Sequence, residues 1–408
     1  MWLLNTEKLT LEYFNEAQVK GLPYAILSHT WGSDEILFHE LRGDQKALQG
    51  RAGWAKLDRF CNTALTHGLR YAWMDTCCID KRNSADVSEA INSSYKYYYD
   101  SAVCFIHLED VYKYADGASN SLGRAEVTRD QLLARLRTTR WATRGWTLQE
   151  CIAPERRRFL ASDWSEIQDG DDLLDALAES TRIDKDLLKD RDLLRNFCIA
   201  ERMKWASRRQ TTRTEDVAYC LMGIFEVHMP VLYGEGAKNA FKRLQREIMQ
   251  SSLDTTIFVW HGNYESSGLL AQSPSDFAET PPLGLWAPQD LSPFSMTNIG
   301  VCIRLKIIND GNKLLAALQC NVQTPTGQWE TPMIYLEPVL DADFVVQGKR
   351  WRAYRRIRCA ELLTLPSKRL EGCSYEDIAV LQDEQYELVC QTKEHHVSRS
   401  MASETGSK

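Results

Sequence analysis

Along the first 165 residues, short uninterrupted apolar runs alternate with stretches in which apolar residues recur every three or four positions. Tyr24-Ala-Ile-Leu-Ser28 and Tyr71-Ala-Trp-Met-Asp75 read as strands, and Ala102-Val-Cys-Phe-Ile-His-Leu108 is the near-continuous run expected of a strand buried on both faces. Between them, Trp54, Leu57, Cys61 and Ala64 mark one face of a helix. Ser84 is placed to cap a second helix carrying Val87, Ile91, Tyr95 and Tyr98. A fourth strand is predicted at Arg158-Phe-Leu-Ala161. The β-α-β-α-β order implies a parallel sheet with helices on both faces, because parallel neighbours need crossover connections.

The pattern then changes twice. Residues 166–265 read as a helical extension, with Thr212 and Glu215 as a capping box and, after Tyr233-Gly-Glu-Gly236, an amphipathic stripe of Ala237, Ala240, Phe241, Leu244 and Ile248. Nine of the twelve prolines lie beyond residue 270, where Val301, Ile303, Leu305 and Ile307 alternate ahead of an Asp310-Gly311 hairpin signal. The expected organisation is an α/β domain over 1–165, the helical extension, a smaller β-rich domain over 270–390 and a disordered tail over 391–408.

Composition narrows the functional classes. At 408 residues with 44% hydrophobic and 10% aromatic content, the chain has ample material for a core. A net charge of −7 argues against a nucleic-acid partner, whose phosphates call for a basic footprint. The runs Arg156-Arg157-Arg158 and Arg208-Arg209 are then solvated or paired with carboxylates. The twelve cysteines are scattered, and their only close pair is adjacent, Cys77-Cys78, which fits reduced thiols in a cytoplasmic protein. The opening MWLLNTEKLTLEYF has no secretory pattern, and no apolar run is long enough to predict a membrane span.

Polar residues cluster at the carboxyl ends of the predicted strands, where open parallel sheets bind ligands. Strand one runs into Ser28-His-Thr-Trp-Gly32, strand two into Asp75-Thr-Cys-Cys-Ile-Asp-Lys81, strand three into Glu109-Asp110. Near the same rim, Thr143-Arg-Gly-Trp-Thr-Leu-Gln-Glu-Cys-Ile-Ala-Pro154 predicts a short helix with Trp146 and Glu150 on one face. Glu150 is either a working carboxylate or a structural one paired with Arg140 or Arg144. Cys77 or Cys78 with His29 and Asp75 suggests a thiol dyad, but no base is convincingly placed, and His29, Asp75, Cys77 and Asp80 lack the spacing that closes a metal site. No glycine-rich phosphate loop occurs.

Four ordered blocks, Tyr24–Gly32, Tyr71–Lys81, Ser88–Asn92 and Arg144–Glu150, resemble the fungal heterokaryon incompatibility (HET) domain, and Arg202–Ser207, Thr211–Tyr219 and Leu232–Gly236 extend the resemblance to about residue 260. It implies a role in fungal non-self recognition, in which the domain triggers growth arrest or cell death. The HET domain is in turn remotely similar to Toll/interleukin-1 receptor (TIR) domains, which have a five-stranded flavodoxin-like sheet and in several lineages hydrolyse NAD. The plant-type TIR pattern Ser-x-Trp-Cys-Leu-x-Glu-Leu matches here at Trp146, Leu148 and Glu150 and departs at Gly145, Thr147 and Cys151. The resemblance implies that Glu150 is catalytic, that Ser28, Trp31, Gly32, Asp75 and Trp146 contact the ligand, and that NAD is a substrate rather than a bound cofactor. No metal is expected, since no residue spacing closes a site. The segment Asp75 to Asp86 takes the place of a gating and assembly loop, so self-assembly or an activating partner protein is expected. The alternative is a non-catalytic module acting through homotypic assembly.

Overall fold

The computed structural model describes residues 1–114, 126–286, 291–311, 313–339, 342–346, 348–383 and 385–387, so the tail expected to be disordered lies outside the described residues. The chain divides into two compact units. The first comprises Met1–Asn196 and Arg208–Ala240; the second comprises Phe197–Ser207 and the described residues from Phe241 onward.

The first unit is built on a six-stranded sheet of β1 (Trp2–Asn5), β2 (Thr10–Tyr13), β3 (Tyr24–His29), β4 (Tyr71–Trp73), β5 (Val103–His107) and β6 (Arg157–Leu160), in the order β2-β1-β4-β3-β5-β6. Strands β4, β3, β5 and β6 run parallel, registered through pairs such as Ala25 with Ala72, Ser28 with Ile106 and Phe105 with Arg158. Every residue of β3 and of β5 is buried, which is why these strands read as continuous apolar runs. The β1–β2 hairpin joins antiparallel to β4 through Leu4 and Ala72. This hairpin lies in the opening segment that predicted no strand: four-residue strands are too short to show a period.

Helices pack on this frame. The helix Ala52–Thr66 buries Leu57, Phe60, Cys61 and Ala64, and Ser84–Tyr99 buries Ala90, Ser94 and Tyr98. The cap of the second helix is Asn83, whose side chain accepts from the Ala85 amide; Ser84 is the first helical residue rather than the cap. Strand two is shorter than expected, because Asp75 already opens a turn of helix, Asp75–Cys78. The strand order reverses at β3, with β4 on one side and β5 on the other, so the crevice expected of such sheets opens at the carboxyl end of β3, at Ser28 and His29.

The second unit is β-rich. Its sheet is antiparallel except where Lys349–Ile357 pairs with Tyr375–Val380, and Leu315, Met333 and Tyr335 form one of its cores. The Asp310-Gly311 hairpin is present: Asp310 pairs with Lys313, and Gly311 takes the positive φ of 65° that the tight turn requires. The short helix Ile199–Ala206 belongs to this unit, its Ile199 amide donating to Asp254 Oδ2 at 2.7 Å. Among the described residues, no helix is long and apolar enough to cross a membrane.

Candidate active site

At the carboxyl end of β3 the first unit contains a cavity of about 280 Å³. Its floor is made by Glu150, on the helix Thr147–Ile152, together with Gln149 and Tyr98. Gly145 lets this helix start close against its neighbours: its amide donates to Gln210 O at 2.9 Å, and a Cβ there would meet the Thr211 side chain at 2.5 Å. The Ser28 hydroxyl donates to Glu150 Oε2 and accepts from Trp141 Nε1 at 2.7 Å. Glu150 keeps some accessible surface, as a cavity-lining residue must, yet protein surrounds its carboxyl. Burial therefore pushes its pKa up to about 8, and the nearby Asp75 charge adds to this, while the Ser28 and Tyr98 hydroxyls and Arg209 pull it back. Among the described residues Glu150 makes no ion pair. Arg140 binds Glu109 at 3.0 Å and Arg144 binds Thr212 Oγ1 at 2.8 Å, so neither is the partner that a structural glutamate was expected to have.

One wall is organised by Asp75. Its Oδ1 lies 3.1 Å from His29 Nε2 and its Oδ2 accepts from Trp31 Nε1 at 2.8 Å. Lys56 Nζ approaches His29 Nδ1 at 3.1 Å and Glu35 Oε1 at 2.5 Å. An ammonium offers only donors, so His29 accepts at Nδ1 and carries its proton on Nε2, toward Asp75. Burial raises the Asp75 pKa, but His29, Lys81 and Trp31 outweigh it and hold the carboxyl below its ordinary range.

A second part of the lining is organised by Asp216, which accepts from Trp146 Nε1 at 3.0 Å on one oxygen and from the Tyr233 hydroxyl at 2.9 Å on the other. Burial pushes the Asp216 carboxyl above its usual value. The neighbouring Glu215 does not close a capping box with Thr212. Its Oε1 instead accepts from the Gly234 and Gly236 amides at 2.8 and 3.1 Å, which fixes the loop carrying Tyr233 and holds the Glu215 carboxyl below its usual value.

Of the residues expected at a ligand, Glu150, Trp31, Asp75 and Trp146 line the cavity. Ser28 is fully buried behind Glu150, reaching the cavity only through it. Gly32 does not line it; its exposed backbone donates to Glu35 Oε1 at 2.7 Å. Cys77 and Cys78 are buried, each sulfur within reach of the Met74 backbone; the Cys77 thiol is pushed up first by its hydrogen bond with Cys78 and then by burial. Both lie outside the cavity lining. Sequence reasoning missed Tyr98, Trp141, Asp216 and Tyr233. The motifs Thr211–Tyr219 and Leu232–Gly236 held the signal for the last two, as blocks with no assigned role.

Residues 24–150 match the family described as Heterokaryon incompatibility protein (HET), and residues 239–299 match a Domain of unknown function (DUF8212). The chain is 40% identical over 230 residues to the Vegetative incompatibility protein HET-E-1 of Podospora anserina, a stretch that covers 55% of this chain and 16% of that protein. The chain thus spans about a sixth of the length of that relative. No solved structure matches.

Proposed function

We propose that the chain, whose residues 24–150 match the HET family, acts in vegetative incompatibility as a cell-death effector and that its cavity hydrolyses NAD at the nicotinamide–ribose bond. The β4-β3-β5-β6 order, with the second strand of the parallel set beside the first and the third on its other side, supports a TIR-like, flavodoxin-like sheet. The observation that carries the catalytic reading is Glu150: a carboxyl on the floor of an aromatic-walled cavity, hydrogen-bonded by serine and, among the described residues, in no ion pair.

In this reading, the cationic nicotinamide ring enters between Trp31 and Trp146 and favours the ionised form of Glu150, so binding releases a proton. The C1′–N bond then breaks with its electron pair going to the ring nitrogen, and nicotinamide leaves neutral without acid assistance. The Glu150 carboxylate stabilises the oxocarbenium charge at C1′. Water forms the new C1′–O bond and loses a proton to solvent, and Glu150 takes back the proton released on binding as the products leave. NAD and water thereby yield nicotinamide, ADP-ribose and one proton.

The non-catalytic alternative draws on Trp31, which is 54% exposed with Lys81 Nζ 3.6 Å from its ring centroid, a surface suited to homotypic assembly. The deciding experiment measures nicotinamide release by concentrated purified protein and growth arrest in cells, for the native chain and for Glu150→Gln. A fall of about 100-fold or more in turnover, with toxicity lost from an equally abundant protein, is the expected result. An abundant, fully toxic Glu150→Gln protein sinks the catalytic reading and favours assembly.

A further inference from the structure

The mouth of the cavity carries Lys81, Arg144 and Arg213, and among the described residues none of the three makes an ion pair. Several other arginines of the first unit do sit on carboxylates, Arg51 on both Asp34 and Glu40, Arg129 on Asp172 and Arg158 on both Glu166 and Asp169. With a net charge of −7, anionic partners are plentiful. The cavity's own carboxylates take their hydrogen bonds from other groups, Asp75 from His29 and Trp31, Asp216 from Trp146 and Tyr233, Glu150 from Ser28, although the Lys81 charge also acts on Asp75 and the Arg213 charge on Asp216.

The three cations are placed rather than loose. Lys81 sits over Trp31, the Arg213 guanidinium lies 3.9 Å from the Tyr233 ring centroid, and Arg144 Nη2 donates to Thr212 at 2.8 Å. A guanidinium stacked on a ring keeps its in-plane N–H groups for another acceptor, and such forks match phosphate oxygens. Size points the same way. About 280 Å³ falls just short of the range of about 300 to 1,000 Å³ usual for ligand pockets, so a ligand larger than one base and its sugar would extend to the mouth.

We propose that Lys81, Arg144 and Arg213 form a phosphate clamp, so that the site selects a nucleoside bearing a 5′-phosphate or diphosphate over the bare nucleoside. The clamp refines the NAD reading, on which it rests for the identity of the base. It places specificity in three residues outside the floor where the bond would break.

The test uses the full chain and tryptophan fluorescence to follow binding of nicotinamide mononucleotide, nicotinamide riboside and inorganic diphosphate. The mononucleotide should bind at least about tenfold more tightly than the riboside at low salt, and the gap should close as salt is raised. Arg213→Gln and Arg144→Gln should each weaken the mononucleotide by about tenfold and leave the riboside unchanged, with Arg213→Lys recovering part of the loss, while Lys81→Gln, which also removes the cation packed on Trp31, should weaken the mononucleotide more than the riboside. Equal affinity for mononucleotide and riboside in the native chain overturns the clamp while leaving the NAD reading intact. Binding of diphosphate alone, weakened by the same substitutions, supports the clamp and removes nicotinamide as the base. Indifference of all three probes to the substitutions, or no binding by any, overturns it.

Discussion

Ser28 donates its hydroxyl proton to Glu150, and it is held in that role by the Trp141 indole, which donates to Ser28 at 2.7 Å. An indole nitrogen only donates, so the serine lone pair is occupied from one side and its proton is left for the carboxyl. This hydrogen bond favours the charged form of Glu150 against burial. Ser28→Ala should therefore raise the Glu150 pKa further above about 8, and should strand a buried indole N–H at a cost of about 1–3 kcal/mol. Carbon-13 NMR titration of labelled glutamate reads the first effect. An unchanged Glu150 titration in the folded variant would show that the serine does not tune it.

Glu150 also makes stability depend on pH, with a definite sign. Below about pH 4.5 the carboxyl is protonated in both folded and unfolded chains and contributes no difference. Between there and about pH 8 the unfolded chain loses the proton and the folded chain keeps it, so stability falls as pH rises, and it levels off above. Glu150→Gln lacks this slope. The variant should gain relative stability across that window, reaching on the order of 4 kcal/mol at its upper end. Denaturation at several pH values gives the comparison, and parallel profiles for the two proteins would contradict a raised Glu150 pKa.

Much of this frame was legible because burial writes itself into sequence. A strand covered on both faces has to be apolar throughout, so β3 and β5 announced themselves, and a helix packed on one side repeats at three and four, which also put Trp146 and Glu150 on one face. What could not be read was partnership at a distance. Arg140 and Arg144 are close to Glu150 in sequence, but Arg140 turns to Glu109 and Arg144 to Thr212, and the partner of Glu150 comes from 122 residues away. Thr212 and Glu215 have the spacing of a capping box, yet the loop at Gly234 offers Glu215 two backbone donors that outcompete it. Local spacing states which residues are able to meet; tertiary packing decides which do.

The two adjacent cysteines serve packing. Cys77 is fully buried and Cys78 nearly so, and burial helps to hold the Cys77 thiol well above its usual pKa, which disfavours thiolate chemistry. Neither should react with a thiol reagent in the native protein on the timescale of surface thiols; both should become reactive on unfolding. Replacing the pair by alanine should leave NAD turnover within about tenfold in a folded protein. Loss of several orders of magnitude would restore a thiol mechanism.

A chain ending near Glu265 should fail to fold its second unit. Gln245, fully buried, exchanges two hydrogen bonds with the Ala271 backbone at 2.9 Å, and Trp260 Nε1 donates to Leu269 O at 2.6 Å. Arg356, also buried, donates to the carbonyls of Phe258 and Trp260. Truncation leaves these groups unpaired and exposes the apolar face of the helix Ile199–Ala206, which belongs to the same unit. Aggregation or loss of a cooperative melting transition is expected. A soluble truncated chain that melts cooperatively at the native temperature would contradict it.

Asp216 offers a way to separate anchoring of the cavity wall from general stability. Each of its oxygens receives one donor, Trp146 Nε1 and the Tyr233 hydroxyl. In Asp216→Asn the remaining carbonyl oxygen can serve the indole, which only donates, while the amide nitrogen donates to the tyrosine, whose hydroxyl can turn and accept. Both rings stay anchored, and because burial already penalises the charge at this position, stability should change by less than about 1 kcal/mol. Asp216→Ala removes both acceptors at once and should cost about 2–4 kcal/mol. It should also release Trp146, so that KM for NAD rises more than kcat falls and tryptophan anisotropy drops. If Asp216 matters only to folding, the alanine variant, assayed where it is fully folded, will keep its KM and its anisotropy. Rescue of KM by asparagine but not by alanine is the result that assigns Asp216 the placing of Trp146 at the ligand.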